Sequence, residues 1–477
     1  MTAALGGFLG SLATAELPSS VRAAVAQQTL EIFTGLFAGA DVVEMQPVLH
    51  AYGRAAGRVA IPATAIGSEV ALAAGATAAL AHAAELDPIH AGTVICPAAV
   101  TIPAALALSQ TTTLTGRRYV AAICAGYEAG IRLGRTLDGA ALLAAGWWPT
   151  AVCGSFAAAA TSAVCLGLDS ERLQDALGLA AILSGGLAIG GPNTAGARNL
   201  LCAQTVRIGV EAALAAQAGI CGPRELFTGA RNILTAFGRG AIDPARAADA
   251  TAIDTGLGDN WAVLETSLKR WPCALQAQSA LDALLRVVGN LDAAARSSPT
   301  AAPAAIARLP QSVEIRLPAA MCRIVDRPGP PATQWAAAAS LQFLAASVLL
   351  DGDLRAERMS PAGRADARVL ELMQRIHLGS DPSLDERYPR EWPARVILRD
   401  PLAGSPAELT AESAQPPGHP SRPLTFEFSA ARFHRYAEAR LPSHAIDSAV
   451  EFVRRLEEQP DMAAAVALLR PQTASAP

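Results

Sequence analysis

Between Ala81 and Pro97 the chain sets two histidines, His82 and His90, and two carboxylates, Glu85 and Asp87, within nine positions. Long Ala/Leu/Val segments with almost nothing ionisable flank them on both sides. An imidazole beside a carboxylate is a proton-transfer pair, because the acid fixes the ring tautomer and raises its basicity. Helical spacing puts His82 and Glu85 on one face. Pro88 then stops a helix, so Ile89 to Gly92 read as a loop that carries His90. Either histidine also reads as an ordinary hydrogen-bonded one; the clustering with Glu85 and Asp87 favours chemistry, with His90 ahead of His82. A metal needs at least three convergent ligands, and His82 with Glu85 supplies only two, so no metal is expected.

A second signal lies far along the chain. Lys269 is the only lysine, every other cation among the 38 Lys+Arg being arginine. Lysine can lose its proton when desolvated and arginine cannot. Lys269 therefore reads as an acid/base group or a carboxylate anchor, or as an accident of composition. Arg270 beside it favours proton loss by like-charge repulsion. Arg198 follows a glycine-rich stretch, Gly185 to Gly196, and reads equally as a carboxylate clamp or a surface arginine. That stretch has neither a dinucleotide-binding nor a phosphate-loop spacing, so no cofactor is implied.

The elements that must position these groups are mostly helices. In this chain of 477 residues, 51% are hydrophobic and alanine dominates, and alanine loses no side-chain entropy in a helix. Helices are expected over Pro18–Gly39, Val70–Ala84, Tyr119–Arg135, Ala151–Leu166, Ser170–Ser184, Gln204–Gly219 and Ser279–Val288. Another starts after Pro103, with Gly116–Arg118 as a turn. After Trp271 the pattern changes: Ser312–Pro318 and Ala394–Arg399 alternate like strands, with helical stretches Trp335–Leu350 and Ala365–Gln374 between them. Ala411–Pro423 is rich in Pro and Ser, and Ser443–Leu469 resumes amphipathic helix. The fold class is thus mainly α with a smaller α+β part: a helical domain over 1–268, an α+β lid-like domain over 269–405, a return to the helical domain over 406–470, and a disordered tail over 471–477.

A net charge of −4 without a basic stripe argues against nucleic acid. Eight cysteines are scattered singly, only Cys96 near histidines, as expected of reduced thiols in a cytoplasmic protein. Residues 1–20 lack the basic start of a secretory signal. Gly139–Leu168 is uncharged, but Gly146-Trp147-Trp148-Pro149 breaks it, so it reads as two core helices and no membrane is expected.

In order, the segments resemble the MmgE/PrpD family, which includes 2-methylcitrate dehydratase, cis-aconitate decarboxylase and iminodisuccinate epimerase. The likeness runs through Phe8–Leu12, His90–Pro97, Gly126-Tyr127-Glu128, Gly146–Thr150, Leu166–Asp169, Ser267–Pro272, Asp381–Asp385 with Tyr388-Pro389, and Gly418–Pro423. The resemblance implies a homodimer with a cofactor-independent site between a helical domain and a lid, acting on small di- or tricarboxylic acids. It places Glu85, Asp87, His90 and Lys269 at active-site positions. It also sets departures: Trp148 and Gln278 stand where members carry histidine, Leu201 at another frequent histidine, and Arg198 at a lysine. Arginine there keeps carboxylate binding but loses proton transfer. Trp148, Arg198, Arg270, Gln278 and His82 are therefore taken as substrate-binding. The implied function is a lyase, a dehydratase or decarboxylase working by proton abstraction α to a carboxylate; an epimerase or a non-catalytic carboxylate binder are the alternatives.

Overall fold

The computed structural model describes residues 2–54, 57–188, 194–228, 231–238, 253–296, 310–399 and 408–471. The chain forms two compact units, one of residues 1–268 with 425–477 and one of residues 269–424.

The first unit is helical. Its core helices are α1 (Ser19–Ala40), α2 (Val70–Ala83), α3 (Ala98–Leu108), α4 (Gly116–Thr136), α5 (Pro149–Leu166), α6 (Ser170–Leu183) and α7 (Ala195–Gln217). α5 packs on α4 and α7, and α2 packs on α1, α3 and α7. Small residues set how closely these helices approach. A methyl on Gly39 would strike the Leu80 carbonyl, and one on Gly209 would strike the backbone at Ala159. Alanine and glycine therefore act here as spacers for close helix contact. α5 is long and apolar enough to cross a membrane, yet 94% of it is buried inside the chain. Gly146-Trp147-Trp148 separates it from the short helix Gly139–Ala144, as the break in the sequence pattern required.

Several helices start earlier than expected. α3 begins at Ala98 and carries Pro103 inside it. Gly116-Arg117-Arg118 is the first turn of α4, capped by the Thr115 hydroxyl, which accepts from the Arg118 N–H. α7 extends back to Ala195. Chain returning to this unit supplies α10 (Phe426–Ala437) and α11 (Ser443–Arg454), which pack on α1.

The second unit opens with α8 (Leu275–Arg296) and holds α9 (Leu341–Asp351) with a four-stranded sheet. The strands are β1 (Ser312–Leu317), β2 (Ile376–Ser380), β3 (Ala394–Arg399) and β4 (Glu408–Ser413), in the order β2-β1-β3-β4. β1 runs parallel to β2 and antiparallel to β3; β4 runs antiparallel to β3. In β1 every second residue is buried, Val313, Ile315 and Leu317, as the alternation implied. The expected Trp335–Leu350 helix is two, broken at Ser340, whose hydroxyl caps α9. β2 and β4 were not anticipated. Because β4 completes the sheet, the return to the helical unit falls at Thr425 and not at 406. The expected tail beyond residue 471 and the centre of the glycine-rich stretch, 189–193, lie outside the described residues.

Candidate active site

α2 ends at Ala83, and the chain reverses at once. Glu85 takes a left-handed backbone conformation, φ 57°, unusual for a residue with a side chain. Its N–H donates to the His82 carbonyl at 3.1 Å. The reversal means that His82 and Glu85 are not neighbours on one helix face, contrary to the spacing argument. Instead it swings Asp87 back onto His82. His82 Nδ1 and Asp87 Oδ2 lie 2.7 Å apart, and both side chains are fully buried. With Asp87 ionised, Nδ1 is the donor and the lone pair rests on Nε2. Nε2 is buried and meets no hydrogen-bond partner among the described residues. An imidazole held by a carboxylate with its other nitrogen unengaged is the arrangement of a general base.

The rest of the loop is fixed by backbone pairing. Ile89 and Ser267 exchange two N–H···O bonds of 2.9 Å, and the His90 N–H donates to the Ile95 carbonyl at 2.8 Å. Val94 has φ 57°, a strained value for a β-branched residue. Glycines on the neighbouring segment make room: a Cβ at Gly134 would meet Ile95 and Thr93, and one at Gly139 would collide with the Thr93 carbonyl.

His90 stands apart from the buried pair. Its Nδ1 shares a 2.8 Å hydrogen bond with the Thr93 hydroxyl, and its Nε2 lies 3.5 Å from Glu265. Glu265 is held down to about 2 by the hydrogen bond with His90 and by Arg135, which pairs with the same carboxylate. Both nitrogens of His90 face protein partners, whereas Nε2 of His82 meets no hydrogen-bond partner among the described residues.

Trp148, at the N-terminal cap of α5, has its ring 5.2 Å from that of His82. Arg198, in the first turn of α7, has its Cζ 5.5 Å from the centre of the Trp148 ring. Its Nη1 pairs with Glu85 Oε1 at 2.5 Å, where Glu85 is buried and Arg198 a quarter exposed. Arg198, Glu85, Trp148, His82 and Asp87 are one contiguous group.

Cys96 joins them, which the sequence did not single out beyond its nearness to histidines. Its Sγ, a ring nitrogen of His82 and a carboxylate oxygen of Asp87 lie within 4.8 Å of one another, all three residues buried. The structure therefore supplies the third donor that the sequence lacked, and nitrogen, oxygen and sulfur are a donor set that zinc accepts. The shortest contact fits a proton better than a metal. A zinc ion takes nitrogen and oxygen at about 2.0–2.2 Å each and holds them farther apart than 2.7 Å in a tetrahedral site.

In the second unit, Lys269 is buried. Gln278 serves the local backbone. Its Oε1 accepts from the N–H groups of Arg270 at 3.1 Å and Trp271 at 3.3 Å, and its Nε2 donates to the Trp271 carbonyl at 2.8 Å. The Arg270 guanidinium lies 4.8 Å from the Trp271 ring centre. Gln278 therefore shapes the turn after Lys269, and its amide is committed to backbone instead of a ligand.

Comparison with known proteins agrees with the organisation. Residues 3–244 match the MmgE/PrpD N-terminal domain and residues 271–468 the MmgE/PrpD C-terminal domain. Over 219 residues the chain is 29% identical to a cis-aconitate decarboxylase-like protein, oryM, of Aspergillus oryzae, covering 44% of this chain and 45% of that protein. It is 29% identical over 206 residues to a cis-aconitate decarboxylase of Aspergillus terreus, covering 39% of this chain and 40% of that enzyme. The matched region thus spans less than half the length of these curated relatives. Both domain matches together cover the chain from residue 3 to residue 468 apart from one short gap, and the protein belongs to the MmgE/PrpD family.

Proposed function

We propose that this protein is a lyase acting on a small carboxylic acid: it either removes the proton on the carbon α to a carboxylate as hydroxide leaves the neighbouring carbon, or releases carbon dioxide and returns a proton to the carbanion that remains. The observation that carries this reading is the buried His82–Asp87 pair, whose Nε2 is left as a buried lone pair. Kinship with cis-aconitate decarboxylases supports the same class of chemistry.

In this reading His82 Nε2 takes the proton. Asp87 holds the ring and stabilises the imidazolium that results. Arg198 anchors the substrate carboxylate, which takes the place that the Glu85 carboxylate occupies at 2.5 Å. A guanidinium can bind either carboxylate, so the exchange conserves charge at Arg198 and releases Glu85. The Trp148 ring closes one side of the corner and keeps the base dry.

The test is a thermal-shift screen of small di- and tricarboxylates, followed by proton NMR of each stabilising acid in deuterium oxide. A lyase gives an unsaturated or decarboxylated product. Exchange at the α-carbon without loss of a group would make the protein an epimerase or isomerase, and stabilisation without any exchange would make it a carboxylate binder. His82→Gln is expected to lower turnover by about 10²–10⁴-fold, the usual worth of a general base.

A further inference from the structure

We propose that Glu128 and Arg132, a buried ion pair on α4, are positioning residues for the candidate site: they grip the segment 255–267, and through it they set the loop that follows the His82–Asp87 turn and carries His90. The inference rests on the lyase reading above for what that loop does.

The grip is built from one stripe of α4. Glu128, Arg132 and Arg135 stand at helical spacing, so their side chains leave the helix in similar directions. Arg132 Nε donates to Glu128 Oε2 at 2.8 Å, and both side chains are only 2% exposed. Each partner also holds main chain of the segment. Glu128 Oε1 accepts from the Ala262 N–H at 2.8 Å. Arg132 donates from Nη1 to the Thr255 carbonyl at 2.7 Å and from Nη2 to the Gly256 carbonyl at 3.1 Å. Arg135, one turn farther on, pairs with Glu265. A second strut stands beside Glu128: the Tyr127 hydroxyl donates to Gln28 Oε1, and Gln28 Nε2, on α1, donates to the Val263 carbonyl at 3.0 Å. Gly126 completes the arrangement on the opposite side, where a Cβ would collide with the Thr161 and Thr101 side chains of α5 and α3. The run Gly126-Tyr127-Glu128 thus seats α4 with its first residue and holds the segment with the next two.

Magnitudes favour positioning over stability as the task of this pair. Taking two charges out of water offsets most of their attraction, so a buried ion pair adds little net stability over apolar residues of the same size. What apolar residues cannot do is complete the hydrogen bonds of a main chain. The segment 255–267 has one short helical turn, Ala262–Glu265, so much of its backbone depends on other elements for partners. The end of the segment meets the site. Ser267 exchanges two N–H···O bonds of 2.9 Å with Ile89, and Glu265 faces His90 Nε2 at 3.5 Å. Ile89 lies two residues after Asp87. The same helix also receives the far side of the loop, where Gly134 leaves room for Thr93 and Ile95. α4 therefore holds both the loop and the segment paired with it, and a shift of the segment is passed to Ile89 and on toward Asp87. A displacement of about 1 Å in a reacting group can cost about 10²-fold in rate.

The experiment compares hydrogen exchange by mass spectrometry in the full chain, in Glu128→Gln and in the double variant Glu128→Met/Arg132→Met. A glutamine has one carbonyl oxygen, so it can serve Arg132 Nε or the Ala262 N–H but not both. The double variant leaves no unpaired charge and repeats the reading should the single variant fail to fold. Peptides covering 86–95 and 255–268 are expected to exchange roughly 10- to 100-fold faster, while peptides from α3 and α5 keep their wild-type protection. Turnover of a confirmed substrate is expected to fall by about 10²-fold in the same preparations. Wild-type exchange at Ile89 and Ser267 would overturn the proposal. A rise that extends to α3 and α5, or failure of the double variant to fold, would make the pair a stability element and overturn it as well. If the wild type turns over no small carboxylic acid, the lyase reading fails, and the exchange pattern still decides whether the pair holds the loop.

Discussion

Asp87→Asn gives the sharpest test of the base. The change is isosteric, and Asp87 is fully buried with one oxygen 2.7 Å from His82 Nδ1, so it should alter the proton and the charge without opening a cavity. Two orientations of the new amide are open. With its oxygen toward the ring the tautomer survives, but the negative charge that stabilises imidazolium is gone. An adjacent opposite charge shifts a pKa by roughly 1–3 units, at about 1.4 kcal/mol per unit, so this orientation costs about 10- to 10³-fold in rate. With its nitrogen toward the ring, the proton is forced onto Nε2 and the lone pair is lost, which in a serine-protease triad costs about 10⁴-fold. Stability should fall by only about 1 kcal/mol, the difference between a charge-assisted and a neutral hydrogen bond. Turnover of the identified substrate and a thermal melt, measured on the same preparation, separate the two effects. A variant that melts slightly lower but turns over at the wild-type rate would refute the assignment of His82–Asp87 as the base.

Other consequences follow from single contacts. Arg198→Gln removes the guanidinium that Glu85 or a substrate carboxylate must share, so carboxylates that stabilise the wild type should lose their thermal shift; an unchanged shift places the anchor elsewhere. Glu265 has a depressed pKa, so the stability it contributes is full above about 4.5 and is lost as pH falls toward 2. Arg135→Met should flatten that acid limb in a pH series of melts, and an identical limb would remove Arg135 from the account. Gly209→Val puts a side chain into the α5 backbone and should cost roughly 1–3 kcal/mol or more through overpacking, read by denaturant unfolding.

The sequence carried the α+β division well, because each signal there was periodic. Ser312–Leu317 and Ala394–Arg399 alternate in burial as their residue types do. β2, Ile376–Ser380, was missed because His377 and Gly379 blur the alternation, and β4, Glu408–Ser413, because it lies at the sheet edge with mixed burial. Helix starts were read late where Pro103 or Gly116 suggested a break, although a capping threonine at Thr115 and Pro97 ahead of Ala98 marked the starts. In the candidate site, composition picked out the stretch Ala81 to Pro97, but not its pairing. A helical extrapolation joined His82 to Glu85, whereas the left-handed turn at Glu85 joins His82 to Asp87 and turns Glu85 toward Arg198. No spacing rule announces a left-handed glutamate. Cys96 was visible as the only cysteine near histidines, but its proximity to Asp87 depends on the fold of the loop.

That turn also explains how so many ionisable groups persist among alanines. Burying a charge alone is costly, and each charge here is met locally: Asp87 by His82, Glu85 by Arg198, and Glu265 by Arg135. The pairs differ in what they can release. Arg135 and Glu265 are partly exposed, and Glu265 also meets His90, so that group is suited to holding the loop in place. In the proposed reading the Glu85–Arg198 pair exchanges one carboxylate for another and Arg198 keeps a partner throughout, provided that the incoming acid is small enough to enter beside Trp148. His82–Asp87 can accept a proton and remain a pair, because an imidazolium beside a carboxylate is better satisfied than either ion alone. On the proposed reading, a loop held by one pair, an anchor that trades partners in the second and a base that strengthens its bond on protonation in the third would divide binding from proton transfer among three neighbouring contacts.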